Sequence, residues 1–193
     1  MNAQKVLELL QVAGRLKETL RHCMTNETRR ESVAEHSWRL CFFALLVEDE
    51  FPALDMNKVL RMCILHDLGE VFTGDIPAFE KTPADREKEH ALFKEWVQTI
   101  PDPQGRQFLA LVEEMEKLES PEAKLYKALD KLEAVIAHNE SDIRTWLPLE
   151  YDLQLSYGKE DVQFSSYLKT LKAHVDAWTR EKIEKEGKKS HAD

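Results

Sequence analysis

The sequence is short of the residues that interrupt helices: its 193 positions include six glycines and seven prolines. Turn-rich all-β architectures need both in quantity, so this scarcity favours long helices. Cysteine is scarce too. Cys23, Cys41 and Cys63 are odd in number, widely spaced and free of any CxxC pair. That argues against a disulfide framework and suits reduced thiols in a reducing cytosol. Positive charge is in deficit, with 27 Lys and Arg against 36 Asp and Glu and a formal net charge of −9. Such a chain is a poor partner for nucleic-acid polymers and anionic membranes, which are held by clustered Lys and Arg. A small phosphorylated substrate remains open, because one cation and a few local basic groups can hold it. No uncharged apolar run approaches the ~20 residues that span a bilayer. The N-terminal stretch MNAQKVLELLQVAGRLKE carries charge throughout, unlike a signal peptide. The expected location is the cytoplasm.

What is present is helical periodicity almost everywhere. The spacing predicts helices near 2–20, 33–49, 57–67, 85–99, 104–118, 122–140 and 163–185. Breaks fall at Pro52, Gly69, Gly74 to Pro77, Pro101 to Pro103, Ser120-Pro121 and Pro148 to Gly158. The expectation is an all-α single domain over 1–185, with its motifs within 15–140 and a frayed tail over 186–193. One helix start is marked by a capping box, Ser32-Val33-Ala34-Glu35, in which the hydroxyl and the carboxylate each satisfy a free backbone N–H.

Three helical segments carry metal-type ligands away from their solvent faces. After Ser32, His36 shares a face with Val33, Leu40, Phe43 and Val47. In VLRMCILHDLGE, His66 shares a face with Val59, Met62 and Cys63, Asp67 follows at once, and Gly69 is placed to end the helix. Neighbours at i and i+1 point about 100° apart, so both can reach one ion only from a helix end. In EAKLYKALDKLEAVIAHN, the apolar stripe is Leu125, Leu129, Leu132 and Ile136, and the solvent stripe is Lys124, Lys127 and Lys131. Asp130 lies on neither and shares a flank with Ala123, Ala134 and Ala137. A buried carboxylate is costly unless paired or metal-bound, so Asp130 faces either an arginine or an ion. Together, two imidazoles and two carboxylates suit one borderline divalent cation such as Mn²⁺, Co²⁺, Zn²⁺, Fe²⁺ or Ni²⁺.

The segments SVAEHS, HDLGEVFTGDIP and EAKLYKALDKLE, in that order and spacing, resemble the HD-domain superfamily. Within it, the chain looks like the branch of 5′-deoxynucleotidases and HD-domain-containing protein 2-like phosphohydrolases. The resemblance spans about residues 1–140, and nothing is carried over from 141–193. It implies metal ligands at His36, His66, Asp67 and Asp130. It implies a catalytic acidic residue at Glu70, three past the HD pair. The TGD-hydrophobic-Pro segment falls on Thr73, Gly74, Asp75, Ile76 and Pro77, with a catalytic role for Asp75, a substrate contact at Thr73 and a following lysine at Lys81. Substrate-binding arginines fall on Arg21, on the first helix or just after it, and on Arg29. A further acidic position falls on Glu113 or Glu114. One departure stands out: His22 occupies a position where bacterial nucleotidase relatives often carry Trp, which leaves base and sugar preference open.

The implied activity is metal-dependent hydrolysis of (deoxy)nucleoside 5′-monophosphates, with Mg²⁺ added to the candidate ions and a homodimer by analogy. The ion would activate water and polarise a phosphoryl oxygen, Glu70 and Asp75 would move protons, and Arg21, Arg29 and Lys81 would hold the phosphate. The main rival is an HD-type hydrolase of a cyclic nucleotide or nucleoside polyphosphate. A di-iron oxygenase would need further histidines between Asp67 and Asp130, where only His90 lies. A non-enzymatic binding module fits poorly with a full ligand set.

Overall fold

A computed structural model describes residues 1–25 and 29–186. The expected tail over 186–193 therefore lies outside the described residues, apart from Glu186. The architecture is helical, with one small two-stranded hairpin.

The organising element is α7 (Pro121–Glu140), which packs against α2 (Val33–Leu46), α3 (Met56–Leu65), α6 (Gln104–Lys117), α9 (Ser166–Glu186) and β1 (Leu20–Thr25). Its start is fixed by Ser120, whose hydroxyl accepts from the Ala123 N–H, and by Pro121 in the first turn. Leu125, Leu129 and Leu132 are fully buried along it. Each such side chain removed from water contributes about 1.5–3 kcal/mol. At its far end, Asn139 accepts from the Thr179 hydroxyl at 3.0 Å and so pins α9.

The expected helix over 2–20 is divided. Helix α1 (Ala3–Gly14) gives way to a single 3-10 turn over 15–17, and the chain then enters the hairpin β1–β2, with β2 at Arg29–Ser32. The strands are antiparallel, with Met24 opposite Arg30 and Thr25 opposite Arg29. Periodicity missed them because they are short and polar, and Arg21 therefore lies on a strand. The hairpin delivers the chain into α2 through the Ser32–Glu35 capping box, which is present.

Helix α3 ends at Leu65, and the chain turns over 66–69 before the single turn α4 (Glu70–Thr73). Gly69 does not end a helix by a left-handed cap, since its φ is −62°. Its lack of a side chain serves close packing: a Cβ there would lie 3.2 Å from Glu89 Cγ and 3.3 Å from Phe93 Cβ on α5 (Pro83–Val97). Gly74, at φ +78°, closes α4 in a conformation that favours glycine and sends Asp75 back toward the core. The Arg15 guanidinium, bonded to the Val71 carbonyl at 2.5 Å, holds α4 from the other side. A further helix, α8 (Glu150–Ser156), was not expected and packs against α9.

Candidate metal centre and cavity

Each of the three ligand-bearing segments contributes to one point. His36 enters from the buried face of α2, His66 from the C-terminal end of α3, and Asp67 from the turn that follows. That turn is what lets neighbouring side chains reach the same place. Asp130 enters from α7. The Nε2 atoms of His36 and His66 are 3.2 Å apart. Asp67 Oδ2 lies 2.9 Å from His66 Nε2 and 3.7 Å from His36 Nε2. Asp130 Oδ1 lies 3.2 Å from His36 Nε2 and 3.7 Å from His66 Nε2.

These spacings fit a shared cation. Donors about 2.1 Å from one ion lie about 3.0–3.4 Å apart when adjacent and about 3.6–4.2 Å apart at wider ligand angles. The imidazoles are oriented for the task. His66 Nδ1 lies 2.9 Å from the Cys63 carbonyl, and His36 Nδ1 bonds to Glu133, which leaves both Nε2 atoms directed at the carboxylates. Burial alone would raise the Asp67 carboxyl, but the adjacent His66 and His36 outweigh it and hold the group well below the usual range. Asp130 is likewise held low against burial, chiefly by Lys127, whose ammonium is 2.7 Å from Oδ2. The expected arginine alternative for Asp130 is thus replaced by a lysine, and Lys127 is not a solvent-stripe residue: it lines the cavity.

A cavity opens from this point, lined among others by Arg21, Glu70, Asp75, Lys81 and Arg86. Glu70 is buried, and its Oε2 has no hydrogen-bond partner among the described residues. Burial first, then the charges of Asp67, Asp75 and Glu89, push its carboxyl up to about 10 against the opposing effect of Lys81. An orphaned buried carboxyl beside two further carboxylates is the arrangement that a cation relieves. Asp75 is also raised, first by burial. Lys81 sits 2.6 Å from Glu89 and 3.6 Å from Glu70. Arg21 is bound by Glu31 at 2.6 Å and Glu133 at 3.4 Å.

Other expected residues are not brought here. Arg29 is exposed, chelates Glu35 and does not line the cavity. The Thr73 hydroxyl donates to the Gly74 carbonyl at 3.2 Å, and Thr73 is absent from the lining. Glu114 pairs with Lys58 at 2.8 Å, and Glu113 lies near Lys94 at 4.0 Å; neither lines the cavity.

Sequence reasoning missed the support beneath the ligands. Buried Glu133 holds His36 Nδ1 with one oxygen and Arg39 Nε, at 2.5 Å, with the other. It lies three residues past Asp130, on the same side of the helix, and that spacing was the available signal. Also missed was the far wall, built from His138, Glu150, Leu153, Gln154 and Tyr157.

The HD domain family model matches residues 13–172. The chain belongs to the HD-domain family. The match runs beyond residue 140, where the sequence resemblance stopped, and so takes in the far wall. A human protein named 5′-deoxynucleotidase HDDC2 is 30% identical over 142 residues, covering 72% of this chain and 69% of that protein. A cyanophage S-2L protein named dATP triphosphohydrolase is 32% identical over 115 residues, covering 56% of this chain and 57% of that protein. Among solved structures, one from Magnetospirillum magnetotacticum, described as a "predicted metal-dependent phosphohydrolase", superposes with a TM-score of 0.77 at 27% identity, covering 92% of this chain and 93% of that one.

The position of Glu133 in this HD domain generates a prediction. Glu133→Gln keeps the volume but loses the charge that orients His36. Divalent-metal affinity, measured by isothermal titration of chelator-stripped protein with Mn²⁺, is expected to fall about 10–100-fold. Unchanged affinity would show that Glu133 serves packing alone.

Proposed function

We infer that the protein is a metal-dependent phosphomonoesterase that hydrolyses nucleoside 5′-monophosphates, with a deoxynucleoside preference, to nucleoside and phosphate. The observation that carries this reading is the convergence of His36, His66, Asp67 and Asp130, with the two Nε2 atoms 3.2 Å apart and each carboxylate 2.9–3.7 Å from both, at the edge of a cavity that also holds Arg21, Lys81, Glu70 and Asp75. The relatives named 5′-deoxynucleotidase support the substrate class.

A divalent ion on those four side chains, drawn from Mn, Co, Zn, Fe, Ni or Mg, would polarise a phosphoryl oxygen and acidify a water. Arg21 and Lys81 bind nonbridging phosphate oxygens, whose charge is the main target of catalysis in phosphoryl transfer. Glu70, with its unpartnered Oε2 facing the cavity, would take the proton of the attacking water. Asp75, raised by burial, gives a proton to the departing 5′ oxygen. Arg29, occupied by Glu35 outside the cavity, and Thr73, outside it too, have no part in this reading.

A second reading, a nucleoside triphosphate as substrate, is favoured by the similarity to the phage triphosphohydrolase. A release assay over deoxymononucleotides, ribomononucleotides, cyclic nucleotides and nucleoside triphosphates separates the two. Deoxymononucleotide cleavage is expected. Intact deoxymononucleotides beside cleaved triphosphates or cyclic nucleotides would overturn the first reading. On the cleaved substrate, Asp67→Ala should abolish turnover in a folded protein. Arg21→Ala should raise KM and lower kcat together, with kcat lower by about 10²-fold.

Two placements accompany this proposal. The free thiols Cys23, Cys41 and Cys63 support a reducing cytoplasmic setting, which a disulfide in freshly isolated protein would contradict. No helix among the described residues is long and apolar enough to cross a membrane. Trp38, Phe42, Leu45 and Leu46 on α2 are exposed, Trp38 at 68%, and support a homodimer through that face. Light scattering should give twice the chain mass of 22.5 kDa, and a monomer at high concentration would dispose of this surface.

A further inference from the structure

The far wall of the cavity holds a second set of ligand-type groups. His22 lies on β1, His138 near the end of α7, and Glu150 at the start of α8. A ligand atom from each lies within 4.8 Å of the others. Glu150 Oε1 is 2.9 Å from His138 Nε2, and Oε2 is 3.4 Å from His22 Nε2. The Glu150 side chain is 1% exposed, and His138 and His22 are 14% and 24% exposed, so the imidazole edges are reached from the cavity while the carboxylate is enclosed.

Hydrogen placement narrows what these groups need. His138 Nδ1 lies 2.9 Å from the Ala134 carbonyl, which has no hydrogen to give, so Nδ1 carries one. Nε2 then presents a lone pair to a carboxylate oxygen 2.9 Å away, and the two repel unless a proton or a cation sits between them. The same signature marks the first centre, where His66 Nδ1 rests on the Cys63 carbonyl at 2.9 Å and Nε2 faces Asp67 Oδ2 at 2.9 Å. A backbone carbonyl that takes the Nδ1 hydrogen and leaves Nε2 free to bind is a common setting of a metal-bound imidazole.

The wall is also rigid. Trp146 Nε1 donates to the His138 carbonyl and to the Ser141 hydroxyl, at 3.1 Å each, and the Leu147 N–H donates to Glu150 Oε2 at 2.7 Å. His22 packs edge-on against Phe79, with ring centroids 5.7 Å apart. Glu150 and the His138 backbone are thus held in place, with His22 packed beside them.

We propose that His22, His138 and Glu150 form a second divalent-cation site, separate from the His36–His66–Asp67–Asp130 centre and facing it across the same cavity. Two imidazoles and one carboxylate select a borderline first-row ion, with the remaining positions left to water or to oxygen atoms of a molecule in the cavity. The proposal concerns metal binding and does not depend on which phosphoester is cleaved.

The test is metal stoichiometry. Chelator-stripped protein is titrated with Zn²⁺ and, separately, Mn²⁺, and bound metal is measured by calorimetry and by mass spectrometry. Wild type is expected to bind two equivalents, Glu150→Gln one, Asp67→Ala one, and the double variant none. His22→Ala, at a partly exposed position, is the second variant should Glu150→Gln fail to fold. It should weaken one equivalent at least about 10-fold and leave the other unchanged. One equivalent in wild type, or two undiminished equivalents in both far-wall variants, would mean that a proton holds this cluster and would overturn the proposal. Two equivalents in Asp67→Ala beside one in Glu150→Gln would keep the second site and sink the assignment of the first.

Discussion

The structure turns on a crowding of like charge. Asp67 and Asp130 meet at two imidazoles, with the carboxyls of Glu70 and Asp75 lining the same cavity. Enclosing carboxylates costs several kcal/mol each unless positive charge compensates them. Part of that compensation is covalently present: Lys127 serves Asp130, and Lys81 serves Glu89 and approaches Glu70. Glu70 Oε2, by contrast, has no hydrogen-bond partner among the described residues, and its carboxyl is pushed upward, first by burial. A divalent cation held by His36, His66, Asp67 and Asp130 would supply both the charge and a common point for these donors.

The fold is arranged to hold that unfavourable assembly together. Helix α7 carries Asp130 at the centre and Glu133 one turn later, so one element supplies a candidate ligand and the support for another, His36. Glu133 binds α2 through His36 and Arg39 and approaches β1 through Arg21. The leucines on the buried side of the same helix provide the apolar burial that offsets the cost of the polar side. The farther reach of α7 brings His138 to the opposite wall, so both halves of the cavity are referenced to one helix.

Much of this could be read from the residues. The capping box before α2 was legible because Ser and Glu three apart before an apolar run have one local meaning, and it fixed where His36 would point. Asp130 was visible as a carboxylate off the solvent stripe. What escaped were features set by tertiary context. The β1–β2 hairpin has too little apolar alternation to announce itself, and Lys127 sits at a position that helical periodicity assigns to solvent. Glu150 lies after a Pro-containing connection, and its meaning appears only when α8 folds back beside His138. Arg29 illustrates the opposite limit. Its motif position suggested substrate, whereas local chemistry ties it to Glu35.

The central claim is that His36, His66, Asp67 and Asp130 hold one ion. Anomalous diffraction from crystals soaked in Mn²⁺ tests it most directly. The account predicts a peak about 2.0–2.2 Å from the Nε2 atoms of His36 and His66 and from carboxylate oxygens of Asp67 and Asp130. Fully ordered side chains with no peak among them at saturating Mn²⁺ would contradict it.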